Sequence, residues 1–278
     1  MTAPAQAPAA RPAAPGRRGG FGHLVLAELT KIRTVRSTVW SFLLLVVLTI
    51  GFTVLITALT VASWDKADAS TRLQITANPV ASILGAGLEF GQLTICVLGV
   101  LVLSSEYSTG MIRASLLAVP KRWPMLVAKI VAFTGVVLIV AEIVCFASFF
   151  IGSAILNSKV PVSISDPGVL RAVAGGGLYL AVLGLFAMAV AGLIRHTAGA
   201  ITAVIGFVLV LAPLAQLIPD PAGKYIHAYL PTEAGQLIVQ THRAAGDVLT
   251  PWQGFGVFVL WIVVLLALAG WLLQRRDA

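Results

Sequence analysis

Six apolar runs, at about residues 38–62, 80–103, 125–152, 173–194, 198–218 and 252–273, constrain this chain more than any other feature. A helix rises about 1.5 Å per residue, so about twenty apolar residues cross the roughly 30 Å of hydrocarbon in a bilayer. Inside lipid the backbone must satisfy its own hydrogen bonds, and runs of this length without strict alternation do so as helices. The chain is 58% hydrophobic and 11% charged, with a mean hydropathy of +0.95. A soluble domain of this size has no means of burying that much apolar surface. The expectation is an all-α integral membrane protein with six transmembrane helices. The third run is long enough to tilt, and only Arg195 to Ala198 (RHTA) separate the fourth from the fifth, as in a tight hairpin. The first twenty residues, rich in Pro, Ala, Gly and Arg without an apolar core, read as a disordered tail ahead of a six-span domain over 21–278.

Charge sets the orientation. Thirteen Lys and Arg fall on the side shared by the two termini, the loop between the second and third runs, and Arg195. Six fall on the other side, where acidic residues roughly balance them. The positive-inside rule therefore predicts cytoplasmic termini, and an even number of spans agrees. The net charge of +8 is spread over span ends and forms no basic patch with interleaved aromatics, so nucleic acid is not an expected partner. Cys96 and Cys145 lie within apolar runs and read as inert packing residues. His23, His196, His227 and His242 are isolated, with no spacing that argues a metal site.

Two flanking segments stand out. Residues 21–37, FGHLVLAELTKIRTVRS, place Phe21, Leu24, Val25, Ile32 and Val35 on one helical side, as an amphipathic helix at the interface would. Glu28 interrupts that stripe and Leu26 falls on the polar side, which leaves a frayed extension of the first span as the alternative; Glu28 and Lys31 have the spacing to pair in either case. Residues 219–251 are too long for a turn and contain KYIHAYLPTEAGQLIV, with Pro231 and Thr232 placed as a break followed by a cap. They read either as re-entrant helices before the sixth span or as an outer loop packed on the bundle.

Between the second and third spans runs SSEYSTGMIRASLLAVPKRWPMLVAK, residues 104–129. Gly110 permits a sharp turn, MIRASLLAV has no helix breaker, and Pro120 stops it. Ile112, Leu116 and Val119 form an apolar ridge, suited to the lipid surface or to a groove on a soluble protein; physics alone does not choose. The stretch resembles the cytoplasmic signature of the ABC-2-type transporter permeases, the membrane subunits of bacterial ATP-binding-cassette exporters. Glu106, Tyr107, Gly110, Arg113, Leu116, Leu117, Pro120, Arg122 and Lys129 match it, whereas Met111 stands where many relatives have Thr. Ala27 to Trp40 is similar to the family's opening element, and Tyr229 to Ile238 to the segment before its last span.

The resemblance implies a short coupling helix between spans 2 and 3 that rests on a separate ATP-binding-cassette ATPase. Glu106, Gly110, Ile112, Arg113, Leu116 and Val119 would form the ATPase-coupling surface. It further implies a second permease copy or paralogue, a plasma-membrane location, and ATP with Mg on the partner ATPase rather than a cofactor in this chain. No G-x-x-x-x-G-K-[ST] occurs in the sequence; the one Gly-Lys pair, Gly223 and Lys224, lacks both the upstream Gly and the hydroxyl. The chain is therefore not expected to be an enzyme.

Glu89 and Gln92 in the second run and Glu142 in the third are the substrate-path candidates, because a carboxylate within the hydrocarbon costs a few kcal/mol or more and calls for a reason. The structural alternative is that each is protonated or hydrogen-bonded and only fixes helix packing. A secondary transporter using Glu89 and Glu142 as ion or proton sites is the competing function. An intramembrane enzyme lacks the nucleophile, base or ligand sets it needs. Gly87 and Gly91, in G-x-x-x-G spacing, read as a close helix contact, and Gly175 to Gly177 as the same or a hinge.

Overall fold

A computed structural model describes residues 20–108, 122–243 and 246–275. Among these residues the architecture is all helical, and six helices are long and apolar enough to span a membrane. Helix α1 (Phe21–Thr34) ends where Val35 turns extended, and α2 (Arg36–Ala62) follows as the first span. A short helix, α3 (Ala69–Ala77), is capped by the Asp68 carboxylate, which accepts from the Thr71 N–H and the Ser70 hydroxyl. Those bonds, that to Ser70 foremost, hold Asp68 below the ordinary carboxylate pKa. The second, third and fourth spans are α4 (Pro79–Ser108), α5 (Arg122–Leu156) and α6 (Val169–Ile194).

The turn into the fifth span is as tight as RHTA suggests. Arg195 takes a left-handed conformation (φ 58°), and His196 Nδ1 accepts from the Gly199 N–H at 3.1 Å to cap α7 (Thr197–Gly206). That span runs on to Leu217 with a π turn at Phe207–Leu211 and a 3₁₀ turn at Ala215–Leu217. Pro213 lies between them; it lacks an N–H and crowds the carbonyl four residues back, so the regular ladder widens. Helices α8 (Ala222–Tyr229) and α9 (Pro231–Gln236) precede the sixth span, α10 (Pro251–Arg275). Thr250 and Gln253 form a reciprocal capping box at its start: Oγ1 of Thr250 accepts from the Gln253 N–H, and Oε1 of Gln253 from the Thr250 N–H.

Small residues set the helix spacing. Thr49, Thr53 and Thr57 recur every four residues and form a buried column on α2, against which Gly87 and Gly91 of α4 lie without room for a Cβ. The G-x-x-x-G spacing is thus a close contact. Helix α6 is the most enclosed span, and its three consecutive glycines face three neighbours: Gly175 meets Ile238, Gly176 meets Cys145, and Gly177 meets the Glu142 carboxyl group. The helix passes through them unbroken, which answers the hinge reading in favour of packing. Gly87→Val places two methyl groups against the Thr49 carbonyl and the Thr53 hydroxyl. Thermal unfolding in detergent is expected to show a loss of about 1–3 kcal/mol, the usual cost of overpacking a tight contact, whereas Gly85→Ala, with open space around it, leaves the midpoint unchanged.

Several expectations need correction. Helices α4 and α5 extend beyond the runs 80–103 and 125–152, because hydropathy marks the hydrocarbon-facing part and misses the polar turns that complete each helix. On α1 the buried residues are Glu28 and Ile32, with Val25 and Leu29 packed behind them, while Phe21 and Val35 are exposed. The inward face therefore keeps Val25 and Ile32 of the predicted stripe, takes in the Glu28 that interrupts it, and is rotated toward Leu29. Thr232 does not cap α9: Pro231 occupies the first helical position, and Thr232 is buried. Gly110, Ile112, Arg113, Leu116 and Val119 lie outside the described residues, as does the tail before Gly20.

Candidate functional site: an ion ring at one end and a polar seam within the spans

Helix α1 folds back against the beginnings and ends of other helices and brings two acids and two bases into one ring. Lys129 Nζ, on the second turn of α5, donates to Glu28 Oε2 at 2.6 Å and to Glu106 Oε1 at 2.8 Å. Lys31 Nζ donates to Glu28 Oε1 at 2.7 Å and to the same Glu106 Oε1 at 2.9 Å. Charges alternate around the ring, so each is flanked by two of opposite sign. The Lys129 side chain is 2% exposed, Glu106 5% and Glu28 8%, whereas Lys31 remains 32% exposed. Burial by itself pulls the Lys31 ammonium pKa down. The bonds to Glu28 and Glu106, with their charges, outweigh it and hold Lys31 above its ordinary value.

The ring joins α1 to the last turns of α4 and the first turns of α5, the two helices that border residues 109–121. A cleft of about 70 Å³ opens beside it, between Ile32, Val35, Thr38, Leu101 and Val102. Arg195 adds a second tie at the same end, with its guanidinium 5.2 Å from the Tyr107 ring and Nη2 donating to the Leu272 carbonyl at 3.2 Å. Glu106 was the member of this ring singled out for a role in sequence. In the sequence Glu28 reads as a break in an apolar stripe, Lys31 as its local partner, and Lys129 as a motif residue with no further role. The signal available was two acids and two bases close to the same ends of three apolar segments.

The second site lies within the spans. Gln92 Nε2 donates to Glu89 Oε2 at 2.5 Å, one turn away on α4, and Tyr179 of α6 donates to Gln92 Oε1 at 2.7 Å. Gln236, the last residue of α9, reaches in with its amide 3.3 Å from the Tyr179 hydroxyl and 3.5 Å from both Glu89 Oε1 and Gln92 Oε1. Arg171, on the first turn of α6, fastens the exit of that segment by donating to the carbonyls of Ile238, Gln240 and Thr241 at 3.2, 2.9 and 2.9 Å. Those carbonyls lie past the end of the helical turn, so a partly buried guanidinium with several donors serves them well. Gly235 lies against Phe258 and Gly254 against the Ala234 carbonyl, seven and three residues into α10, which sets α9 roughly 5–10 Å along that helix from its start. The segment before the sixth span thus packs against α6 and α10. It borders a cleft of about 230 Å³, where His227 Nε2 lies 3.0 Å from Glu233 Oε2.

Glu89 sits ten residues into α4, about 15 Å from its start. Its side chain is exposed on the flank of the single chain, next to Phe90, which stacks on Phe52 of α2 with ring centroids 3.6 Å apart. The candidate substrate-path residues Glu89 and Gln92 are therefore joined, with Tyr179 and Gln236 added to them. Glu142 stands apart. It packs on Gly177, two residues from Tyr179 and hence about 200° around α6, and its Oε2 has no hydrogen-bond partner among the described residues.

Six spanning helices around polar intramembrane groups, with no cluster of three metal-binding side chains among the described residues, define a multi-pass membrane protein. The family model described as ABC-2 family transporter protein matches residues 23–278, nearly the whole chain, and the protein belongs to that family. It is a membrane permease component of an ATP-binding-cassette transporter. A search among curated proteins gives no match.

Proposed function

We propose that the chain is half of an exporter's membrane domain, working as a pair of permeases with two copies of a separate ATPase at the plasma membrane. Its termini and residues 109–121 are then cytoplasmic, a reading supported by the basic residues Lys31, Arg33, Arg36, Lys129, Arg195 and Arg275 at one end of the bundle. In this reading Gly110, Ile112, Arg113, Leu116 and Val119 form the surface that meets the ATPase, and Glu106 ties it to the spans. Nucleotide binding and Mg belong to the partner.

The observation that carries the proposal is the exposed Glu89. A carboxylate well inside a span costs several kcal/mol against hydrocarbon, so the flank of α2 and α4 that bears it belongs against a second permease or a polar path between the two. Glu89 beside the Phe52–Phe90 stack offers a charge and an aromatic wall, which suits an amphipathic cation. A paired ion site of the kind a secondary transporter needs gains no support, because Glu89 and Glu142 lie on opposite sides of α6. Affinity purification in mild detergent tests the partner. Wild type is expected to retain an ATP-binding-cassette ATPase, and Leu116→Asp or Gly110→Pro to lose it while still inserting in the membrane. Equal retention by all three would remove residues 109–121 from the coupling role.

A further inference from the structure

The ion ring does more than hold α1 in place. Helix α1 has two buried residues, Glu28 and Ile32, with Val25 and Leu29 packed beside them, so a carboxylate lies within an otherwise apolar seat. Val35 interrupts the helix before α2 with an extended backbone, φ −75° and ψ 116°, so α1 is not a rigid extension of the first span. Its position is set by what Glu28 and Lys31 hold. Those partners are Glu106 and Lys129, on the two helices that border residues 109–121. If α1 lagged behind a movement of α4 and α5, Lys129 would keep one of its two carboxylates and Lys31 would lose Glu106, in a place too enclosed for water to replace them. The first span is held to α4 independently by the threonine column against Gly87 and Gly91.

We infer that Glu28, Lys31 and Lys129 are positioning residues for coupling: by closing the ring with Glu106 they make α1 a third leg of the drive element, so that a displacement at residues 109–121 reaches the start of span 1 together with spans 2 and 3. The inference rests on the permease reading above. It assigns transmission to a fixed electrostatic joint of three segments, where the sequence pointed to the loop and Glu106. Lys31 is the ring member that solvent reaches, so its replacement disturbs the joint with least damage to the fold.

The test uses the full chain with its ATPase in proteoliposomes, with Lys31→Met and Glu28→Gln as disrupting variants. Lys31→Arg and the exchange Glu28→Lys with Lys129→Glu serve as rescues. Transported substrate per ATP hydrolysed is expected to fall about fivefold or more in the disrupting variants, the scale of a typical coupling free energy, with ATPase turnover retained. Lys31→Arg, and the exchange where it inserts, should return the ratio to near wild type. In parallel, spin labels at Arg33→Cys on α1 and Val127→Cys on α5, both exposed positions, report the seat of α1 without any ATPase; the native Cys96 and Cys145 are buried. A single distance in the parent should broaden in Glu28→Gln. A wild-type ratio in Glu28→Gln and Lys31→Met, or a lowered ratio that Lys31→Arg fails to restore, overturns the inference. If the parent shows no ATP-driven transport, the permease reading fails first, and an unchanged label distance in Glu28→Gln still refutes the joint on its own.

Discussion

Lys129→Met is expected to lower the unfolding free energy in detergent by about 3–5 kcal/mol, the cost of leaving buried charge without its partner. The substitution strands Glu28 and Glu106, both nearly enclosed, with only the partly exposed Lys31 between them. Replacing all four ring members by similar-sized neutral residues should recover most of that loss, because a buried ion pair and a well-packed neutral replacement often differ little in stability. Thermal and denaturant unfolding of the purified chain, followed by tryptophan fluorescence, reads both outcomes. A Lys129→Met protein as stable as its parent would mean that water enters the ring freely.

The second large effect concerns transport. Glu89→Ala removes the exposed intramembrane carboxylate and leaves Gln92 and Gln236 with the Tyr179 hydroxyl and each other. Uptake of an amphipathic cation into inside-out vesicles is expected to drop about tenfold or more, equivalent to about 1.4 kcal/mol of lost interaction. Glu89→Gln, which keeps the hydrogen bonds and deletes the charge, should show most of the same loss with unfolding unchanged. Glu142→Gln, packed on Gly177 away from the seam, should transport like wild type. Wild-type transport by both Glu89 variants would make Glu89 a packing residue.

What could be read in the sequence divides along physical lines. Hydropathy located all six spans, because the bilayer imposes one length scale on every segment that crosses it. The tight turn at Arg195 and His196 and the close contact at Gly87 and Gly91 were also legible, since each depends on residues near one another in the chain. The ring was not. Glu28, Glu106 and Lys129 are separated by up to 101 residues, and a stripe-by-stripe reading of α1 treats a carboxylate on the inner face as noise when its partner lies on another helix. Tyr179 and Gln236 escaped for the same reason: a hydroxyl in an apolar run and an amide at a helix end gain meaning only from Glu89 and Gln92 opposite them. Loop lengths hinted that the segment before α10 folds inward, but Arg171 and Gly254, which hold it there, carry no local signal.

The proposed function requires that this permease move its substrate with ATP hydrolysed on another chain. Proteoliposomes containing the permease alone, the ATPase alone, or both together test it most directly, with substrate accumulation and phosphate release followed in the same vesicles. Accumulation is expected only when both chains and Mg-ATP are present, and it should vanish when the ATPase carries an inactivated phosphate-binding loop. Accumulation by the permease alone under an imposed proton or sodium gradient, indifferent to ATP, would contradict the account.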